Sequence, residues 1–227
     1  DLRMSRGLGD VYKRQQKVGS KSTNSGNLLY ATEFQNTGEL DKHHNEEPMC
    51  VVCASPQPTY TSWGRNKCPA GHKQMYEGLV MSSSYTQYKG TFVCVDRERK
   101  VHYEASESDQ DGHLWYTTEA NCGSLPCGPY QQDRELNCAV CQVPTKYADG
   151  EVYMHWGHKS CAGAQKIYEG YAASGSSGHS GSGANTVCLH QDPTLDGTKA
   201  DNNGAMVYGT QYHNTGDVDK NQYGDAV

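Results

Sequence analysis

One block of residues occurs three times along the chain, and this repetition is the strongest constraint on its fold. The three copies are GNLLYATE, GHLWYTTE and GAMVYGTQ, at 26–33, 112–119 and 204–211. A second block recurs as SWGRNKC (62–68) and HWGHKSC (155–161), each followed by Tyr-Glu-Gly. Self-similarity at a fixed period is the signature of a repeat architecture, and the period here is about 90 residues. We therefore expect duplicated units.

The repeated blocks also predict where the units begin and end. Residues 59–142 match one complete unit, 16–54 match the C-terminal part of a unit, and 152–227 match a unit that stops before its closing cysteines. Short joints that contain proline, ASPQPTY and QVPTKYADGE, separate them. Residues 1–15 differ, because their part SRGLGDVYKRQ resembles the translation of a transposase-type sequencing adapter. We interpret 1–15 as an artefact and leave it out of the fold prediction.

Within a unit the residue pattern is that of β-strands. In GHLWYTTE the alternate residues Leu114, Tyr116 and Thr118 fall on one face of a pleated strand. Other short runs of β-branched and aromatic residues are bounded by glycine and proline, and no window keeps the period of an amphipathic helix. The predicted fold class is all-β.

Cysteines compensate for a composition that is poor in core-forming residues. Of 227 residues only 35% are hydrophobic and 2 are Phe, while 10 are Cys. Disulfides form in oxidising compartments and stabilise a fold by roughly 2–4 kcal/mol each, so we expect an extracellular, secreted protein. A net charge of -6 without a basic cluster argues against nucleic acid as a partner. No apolar run approaches the roughly 20 residues of a membrane span, so we expect no membrane partner.

The C-x-x-C pairs at 50–53 and 138–141 are candidates for metal or redox chemistry. A zinc site needs two close ligand pairs, but each unit has one pair, and its other cysteines, Cys68 and Cys94, are single and far apart. A redox pair begins a helix after a strand, whereas these pairs have apolar interiors and run into joints with proline. We predict structural disulfides, no metal and no cofactor.

Two equivalent glutamates are candidates for a catalytic acid. Glu33 and Glu119 end their copies of the repeated block, but the third copy has Gln211, and no second carboxylate recurs at a fixed offset. We therefore predict exposed or turn-pairing glutamates and no enzymatic activity. The repeated Trp63 and Trp156 are predicted to be core residues rather than ligand-stacking platforms.

The complete unit holds six cysteines, an even number that allows fifteen pairings in principle. They are Cys68, Cys94, Cys122, Cys127, Cys138 and Cys141. Cys122 and Cys127, in NCGSLPCG, have no counterpart in the neighbouring units, so we expect them to pair with each other. The four recurring cysteines then pair among themselves, with the closing C-x-x-C joined to the two distant single residues.

The ordered motifs CPAGHKQMYEG, VCV, LWYTTE and CAVC resemble one half of the duplicated C-terminal noncollagenous domain of type IV collagen. CGSLPCGPYQQDRELNCAVC is similar to the end of the second half of the related domain in invertebrate short-chain, spongin-type collagens and collagen-like secreted proteins. VCLHQDP and GAMVYGTQY resemble its first half. The resemblance implies the bonds Cys68–Cys141 and Cys94–Cys138. The chain departs from the family pattern in its Cys122–Cys127 position and in having no Gly-x-y repeat.

The resemblance implies a structural protein of the extracellular matrix whose disulfide-stapled units act as association modules. Its expected partners are further copies of itself or collagenous chains. The alternative is a secreted lectin-like or defence module that binds carbohydrate or protein through Tyr/Gly/Ser-rich loops, such as the loop with Tyr85 and Tyr88.

Four cysteines have no partner in their own part of the repeat. If the chain folds alone, we expect Cys53 to pair with Cys161 and Cys50 with Cys188.

Overall fold

The computed structural model describes residues 31–35, 43–101, 112–161, 163–197 and 204–211. The segment 1–15, interpreted above as an artefact, lies outside the described residues. Within them the chain is all-β, as predicted, with one 3-10 helix at Thr145–Tyr147 and no α-helix. The strands are β1 (Thr32–Phe34), β2 (Thr59–Trp63), β3 (Lys73–Ser82), β4 (Val93–Asp96), β5 (His113–Ala120), β6 (Glu135–Gln142), β7 (Gly170–Ser174), β8 (Val187–His190), β9 (Leu195–Asp196) and β10 (Ala205–Gly209).

The strands form one sheet that closes on itself. β5, β10, β7, β8, β2, β6 and β3 are neighbours in that order, and pairing between β3 and β5 closes these seven strands into a barrel. β1 pairs with β5, β4 with β3 and β9 with β6 outside this ring. Closing a sheet pairs backbone groups that an open edge would leave free. The architecture therefore suits a chain with few large apolar residues.

Every strand of the barrel contributes to the main hydrophobic core. Tyr130 is its largest fully buried side chain, and its hydroxyl donates a hydrogen bond of 2.5 Å to the carbonyl oxygen of His190. The other members are Trp63, Val80, Phe92, Ala120, Leu125, Leu136, Cys138, Ala173, Val187, Leu189 and Val207. The barrel thus encloses one aromatic and short aliphatic core. Phe34, Leu79 and Met81 form a smaller second cluster.

Two hairpins of the sheet have the same construction. β3 with β4 and β7 with β8 pair antiparallel in the same register of the repeat. The hydroxyl of Tyr76 donates to the carbonyl oxygen of Cys94 over 3.0 Å, and the hydroxyl of Tyr168 donates to that of Cys188 over 2.8 Å. The Tyr-Glu-Gly and Val-Cys motifs of the sequence therefore form the same local structure twice.

The strands that carry the threefold block pair in parallel, also with one register. β1 aligns Thr32 with His113 of β5, and β5 aligns Thr118 with Ala205 of β10. Thr32 and Thr118 occupy the same position of the block, as do His113 and Ala205. The end of one copy therefore lies beside the beginning of the next at both places. We call the β1–β5 contact the first junction and the β5–β10 contact the second junction.

Two turns, at residues 44–45 and 132–133, repeat one backbone geometry. The N–H of Asn45 donates to the carbonyl oxygen of Phe34 over 2.7 Å, and that of Asp133 donates to Ala120 over 3.2 Å. Asn45 and Asp133 have positive φ angles of 61° and 59°. Asn and Asp tolerate this left-handed conformation better than most residues, which explains their presence at the two turns.

Each junction also includes an antiparallel contact. Pro48 forms a bridge with Val101 beyond β4, and Leu136 of β6 pairs with Leu195 of β9 beyond β8. Relative to their C-x-x-C pairs and Val-Cys motifs, these positions are equivalent. The segment that approaches Cys50 therefore follows the same course as the one that approaches Cys138.

Candidate functional site

Two disulfide bonds fasten β6 to residues just before β3 and on β4. Cys141 is bonded to Cys68, which precedes β3, and Cys138 is bonded to Cys94 on β4. Both cysteines of β6 are fully buried. These are the bonds that the resemblance implies, and we call them the two clasps.

The spacing of the C-x-x-C pair explains why each cysteine reaches a different partner. Residues three apart in a strand point to opposite faces of the sheet. Cys138 and Cys141 therefore leave β6 on opposite faces, and one clasp closes on each face. Two thiols held in this way do not converge on one ion. Among the described residues, no group of three or more His, Cys, Asp or Glu side chains is placed to hold a metal.

A glycine allows the strands beneath one clasp to approach closely. Gly78 of β3 is opposite Asp96 of β4 and Cys138 of β6. A Cβ atom added to Gly78 would lie 1.9 Å from the carbonyl oxygen of Val95, and one added to Gly170 would lie 2.1 Å from that of Leu189. Both hairpins therefore require glycine at this position.

The third bond closes a small turn between β5 and β6. Cys122 is bonded to Cys127, as expected from their lack of counterparts in the other units. The backbone N–H of Cys122 donates to the side-chain oxygen of Gln132 over 2.9 Å, and Ser124 accepts a hydrogen bond from the N–H of Gly209 over 2.9 Å. The turn is thereby attached to β10, so this bond is structural.

The other four cysteines are free thiols, which makes the prediction of Cys53–Cys161 and Cys50–Cys188 bonds within one chain wrong. Cys50 and Cys53 are exposed. The C-x-x-C segment is fixed on both sides, by the bridge from Pro48 to Val101 and by β2, where Thr59 pairs with Gln142. In the described residues β7 pairs with β10 and β8, and the segment is not paired with it.

A groove of about 640 Å³ lies beside the start of β7. Its lining includes residues of β2, residues 152–156 and the residues that lead into β7. Cys161 and Cys188 both line it. Three of its apolar side chains are about half exposed, namely Tyr153, Met154 and Trp156. The groove is therefore an apolar surface that contains two free thiols.

The two repeated tryptophans differ in burial. Trp63 is 8% exposed and pairs with Cys138 of β6, which confirms the core prediction for it. Trp156 is 48% exposed, so the same prediction was wrong there. No described strand takes the place of β6 beside Trp156, and an equivalent residue is buried only where that strand is present.

The expectation that the equivalent glutamates are exposed was also wrong. Glu33 and Glu119, expected to be exposed or turn-pairing, are 1% and 0% exposed. Both lie where the parallel strand of the next copy covers the end of their own strand, opposite Leu114 and Met206 respectively. Gln211, the third equivalent residue, is exposed.

The tyrosine-rich loop is only partly free to contact a ligand. Tyr88 is 92% exposed. Tyr85 packs against the ring of His179 at a centroid distance of 4.9 Å, and its backbone N–H donates to Gly204 over 3.1 Å. One of the two candidate tyrosines is therefore used to hold the loop against the barrel.

His190, at the end of β8, is expected to make stability depend on pH. The N–H of Asp192 donates to its Nδ1 over 3.0 Å, and its ring stacks on Tyr168 at 5.3 Å. Burial, assisted by the nearby charge of Arg65, lowers the pKa of His190 below its usual value. Because the neutral ring is favoured in the fold, this contribution to stability is present above the unfolded pKa of about 6.5 and is lost as the pH falls through the lower folded pKa.

Two measurements check this expectation. An NMR titration should give His190 a pKa below about 6.5. Urea unfolding between pH 7.5 and 5 should show a smaller loss of stability in His190→Asn, whose amide oxygen still accepts from the Asp192 N–H but does not titrate. A pKa at or above the usual value, or an unchanged pH profile in the variant, would contradict it.

Comparison with known proteins finds no matching family model, no matching curated protein and no matching solved structure. In the described residues no helix is long and apolar enough to span a membrane. The described residues form an all-β protein with a closed sheet and three disulfide bonds. Its candidate site is an apolar groove that contains two of the four free thiols.

Proposed function

We propose that the chain belongs to a secreted, non-enzymatic protein of the extracellular matrix, in which disulfide-stapled β units of the noncollagenous-domain kind act as association modules. The observation that carries this proposal is the pair of clasps. Cys68–Cys141 and Cys94–Cys138 join the four positions at which the sequence resembles the noncollagenous domains of collagens. This pairing is one of several that the cysteines allow, so its presence supports the resemblance.

The junctions support an assembly role. The same parallel register occurs between β1 and β5 and between β5 and β10, and the same antiparallel contact accompanies each. Contacts of this kind use backbone hydrogen bonds that any further copy of the motif reproduces. A chain of such units is suited to joining structural elements rather than to enclosing a substrate.

The disulfides support a location outside the cell. Three bonds close loops in the described part of the chain, and the cytosol keeps most protein thiols reduced. A protein whose barrel depends on such bonds is best suited to an oxidising environment. The partners proposed are other copies of this chain or collagenous chains.

The lectin-like alternative rests on a separate observation. Tyr88 is almost fully exposed at the tip of a polar loop, and exposed aromatic rings pack against sugar faces. Under this alternative the barrel is a scaffold for the loop, and carbohydrate rather than a protein chain is the partner.

A matrix-retention assay separates the two. Residues 16–227 are secreted from cultured animal cells behind an added signal sequence, and the medium and the detergent-insoluble matrix are compared with and without collagenous chains. The proposal predicts an oxidised protein that is retained in the matrix, with Tyr88→Ala retained equally. A protein that remains entirely in the medium and binds glycans on an array, with the binding lost in Tyr88→Ala, would overturn it.

A further inference from the structure

We propose that the groove beside β7 binds the C-x-x-C segment of a second copy of this chain. Residues 49–53 of one copy enter the groove of the other as a strand and form the bonds Cys53–Cys161 and Cys50–Cys188 between chains. The inference rests on the proposed association function, and it identifies the partner and the site of that association.

The complete unit provides the template for this contact. There β6 lies between β2 and β3, with Val140 opposite both Thr61 and Tyr76, and both of its cysteines are in disulfide bonds. Its central sequence is Cys-Ala-Val-Cys, and that of the segment at 50–53 is Cys-Val-Val-Cys. The two differ only in one small apolar residue, so they suit the same surroundings.

The sequence around the groove repeats that around β6 in the other unit. Residues 152–156, which are not in a strand, correspond in sequence to β2, and β7 with the residues before it corresponds to β3. Cys161 and Cys188 occupy the positions of Cys68 and Cys94, the two clasp partners. The β7–β8 hairpin has the register of β3–β4, so Cys188 is held as Cys94 is held. In the described residues, β7 pairs with β10 and β8, and no described strand pairs with the residues before it.

The proposed occupant is exposed and ready to pair. Met49, Val51 and Val52 are 56%, 82% and 99% exposed. Residues 49–53 are not in a strand, and an exposed apolar segment of this kind can pair with another chain when it becomes extended. Residues 48–58 contain no charged side chain, so burial of the segment in an apolar groove does not bury a charge.

The first junction already directs this segment along the course of β6. Pro48 is held at Val101 as Leu136 is held at Leu195. Within each chain, the residue before the segment therefore already has the position that Leu136 has before Cys138. The groove of a second copy would then hold the segment itself as β6 is held. Because the segment and the groove are different surfaces, a contact made in one direction leaves one of them unused on each copy. The proposed association is of this one-way, heterologous kind and adds copies in a row, whereas a reciprocal exchange of segments would close a two-copy dimer.

Each interchain bond requires a two-electron oxidant, which we take to be a small-molecule disulfide such as oxidised glutathione. A cysteine thiolate of one chain attacks it and releases one glutathione thiol. The partner cysteine of the other chain then displaces the second glutathione from the mixed disulfide. Two protein thiols become one disulfide, and the two electrons and two protons reside on two reduced glutathione molecules. Cys50 and Cys53 are the exposed thiols and react first.

Complementary variants test the proposal. Cys50→Ser/Cys53→Ser disables the segment and keeps the groove, whereas Cys161→Ser/Cys188→Ser disables the groove thiols and keeps the segment. In a glutathione buffer each variant alone is expected to be a monomer, their mixture a one-to-one dimer, and the unmodified chain a ladder on non-reducing electrophoresis. With one variant labelled with ¹⁵N, mass spectrometry should find Cys53–Cys161 and Cys50–Cys188 between labelled and unlabelled peptides.

A pair of charge substitutions tests the strand geometry. Val51 corresponds to Ala139, which is fully buried on β6, and Val52 corresponds to the partly exposed Val140. Both valines are exposed in the free chain, so neither change affects folding. Val51→Asp is expected to lower the dimer yield about tenfold because it buries a charge, and Val52→Asp to lower it much less.

Several outcomes would overturn the inference. These are a mixture that stays monomeric with its thiols titratable, bonds that form only within one chain, random pairing such as Cys50 with Cys50, or equal effects of the two charge substitutions. The matrix-retention assay has a separate readout. Monomers that are retained in the matrix would refute this site and leave the proposed function intact. Dimers that are not retained would support this site and refute the proposed function.

Discussion

Removing the Cys94–Cys138 clasp with Cys94→Ala/Cys138→Ala is expected to lower the free energy of unfolding by about 4 kcal/mol. The two residues are 44 positions apart, so the bond removes much conformational entropy from the unfolded chain. Cys138 is also fully buried in the main core. Urea denaturation is the measurement, made in a background in which the four free cysteines are serine so that they do not form new bonds.

The local bond is the matched control. Cys122 and Cys127 are 5 positions apart, and the same entropy argument gives about 2 kcal/mol for Cys122→Ala/Cys127→Ala. Both variants remove one disulfide bond by the same type of substitution, and they differ in the length of the loop that the bond closes. Equal losses in the two variants would show that the clasp does not stabilise the fold by restricting the unfolded chain.

The substitution Gly78→Ala is expected to lower the free energy of unfolding by about 3 kcal/mol or more, although it adds a single methyl group. The added Cβ would lie 1.9 Å from the carbonyl oxygen of Val95, so β4 has to move away from β3. That movement also pulls on the clasp at Cys94. Unfolding by urea, followed by near-ultraviolet circular dichroism, measures the loss.

Substitutions of two other glycines serve as controls for Gly78→Ala. Gly128 has open space around the added Cβ, so Gly128→Ala is expected to change stability by less than about 0.5 kcal/mol. Gly170 occupies the position of Gly78 in the β7–β8 hairpin, and Gly170→Ala should be as harmful because its Cβ would lie 2.1 Å from the carbonyl oxygen of Leu189. A tolerated Gly170→Ala would mean that the two hairpins are not equivalent.

The sequence was informative where a local pattern determines a local structure. Alternation in GHLWYTTE predicted a strand, and β5 occupies most of that block. The isolation of Cys122 and Cys127 from the repeat predicted their bond, because two extra cysteines close together have no other regular partner. The cysteines that recur were assigned through family resemblance, since spacing alone does not choose among several pairings.

Sequence reasoning failed where burial depends on a distant strand. Trp63 and Trp156 occupy the same position of a repeated motif, yet only Trp63 has β6 beside it. Glu33 and Glu119 look like surface residues, because a polar residue that ends a strand is normally solvated. They are buried by a parallel strand about 80 residues further along the chain, and parallel pairing of this kind leaves no local signature.

The equal registers of the two junctions have a mechanical consequence. Successive copies of the block are joined by parallel strands, so a pull along the chain acts along those strands and loads their backbone hydrogen bonds together, in shear. An antiparallel hairpin pulled at its open ends would instead lose its bonds one after another. Because β5 takes part in both junctions, tension passes from one to the other through a single strand. Tension on the repeat would therefore load several hydrogen bonds at once, and the disulfides would limit how far the chain between them could extend.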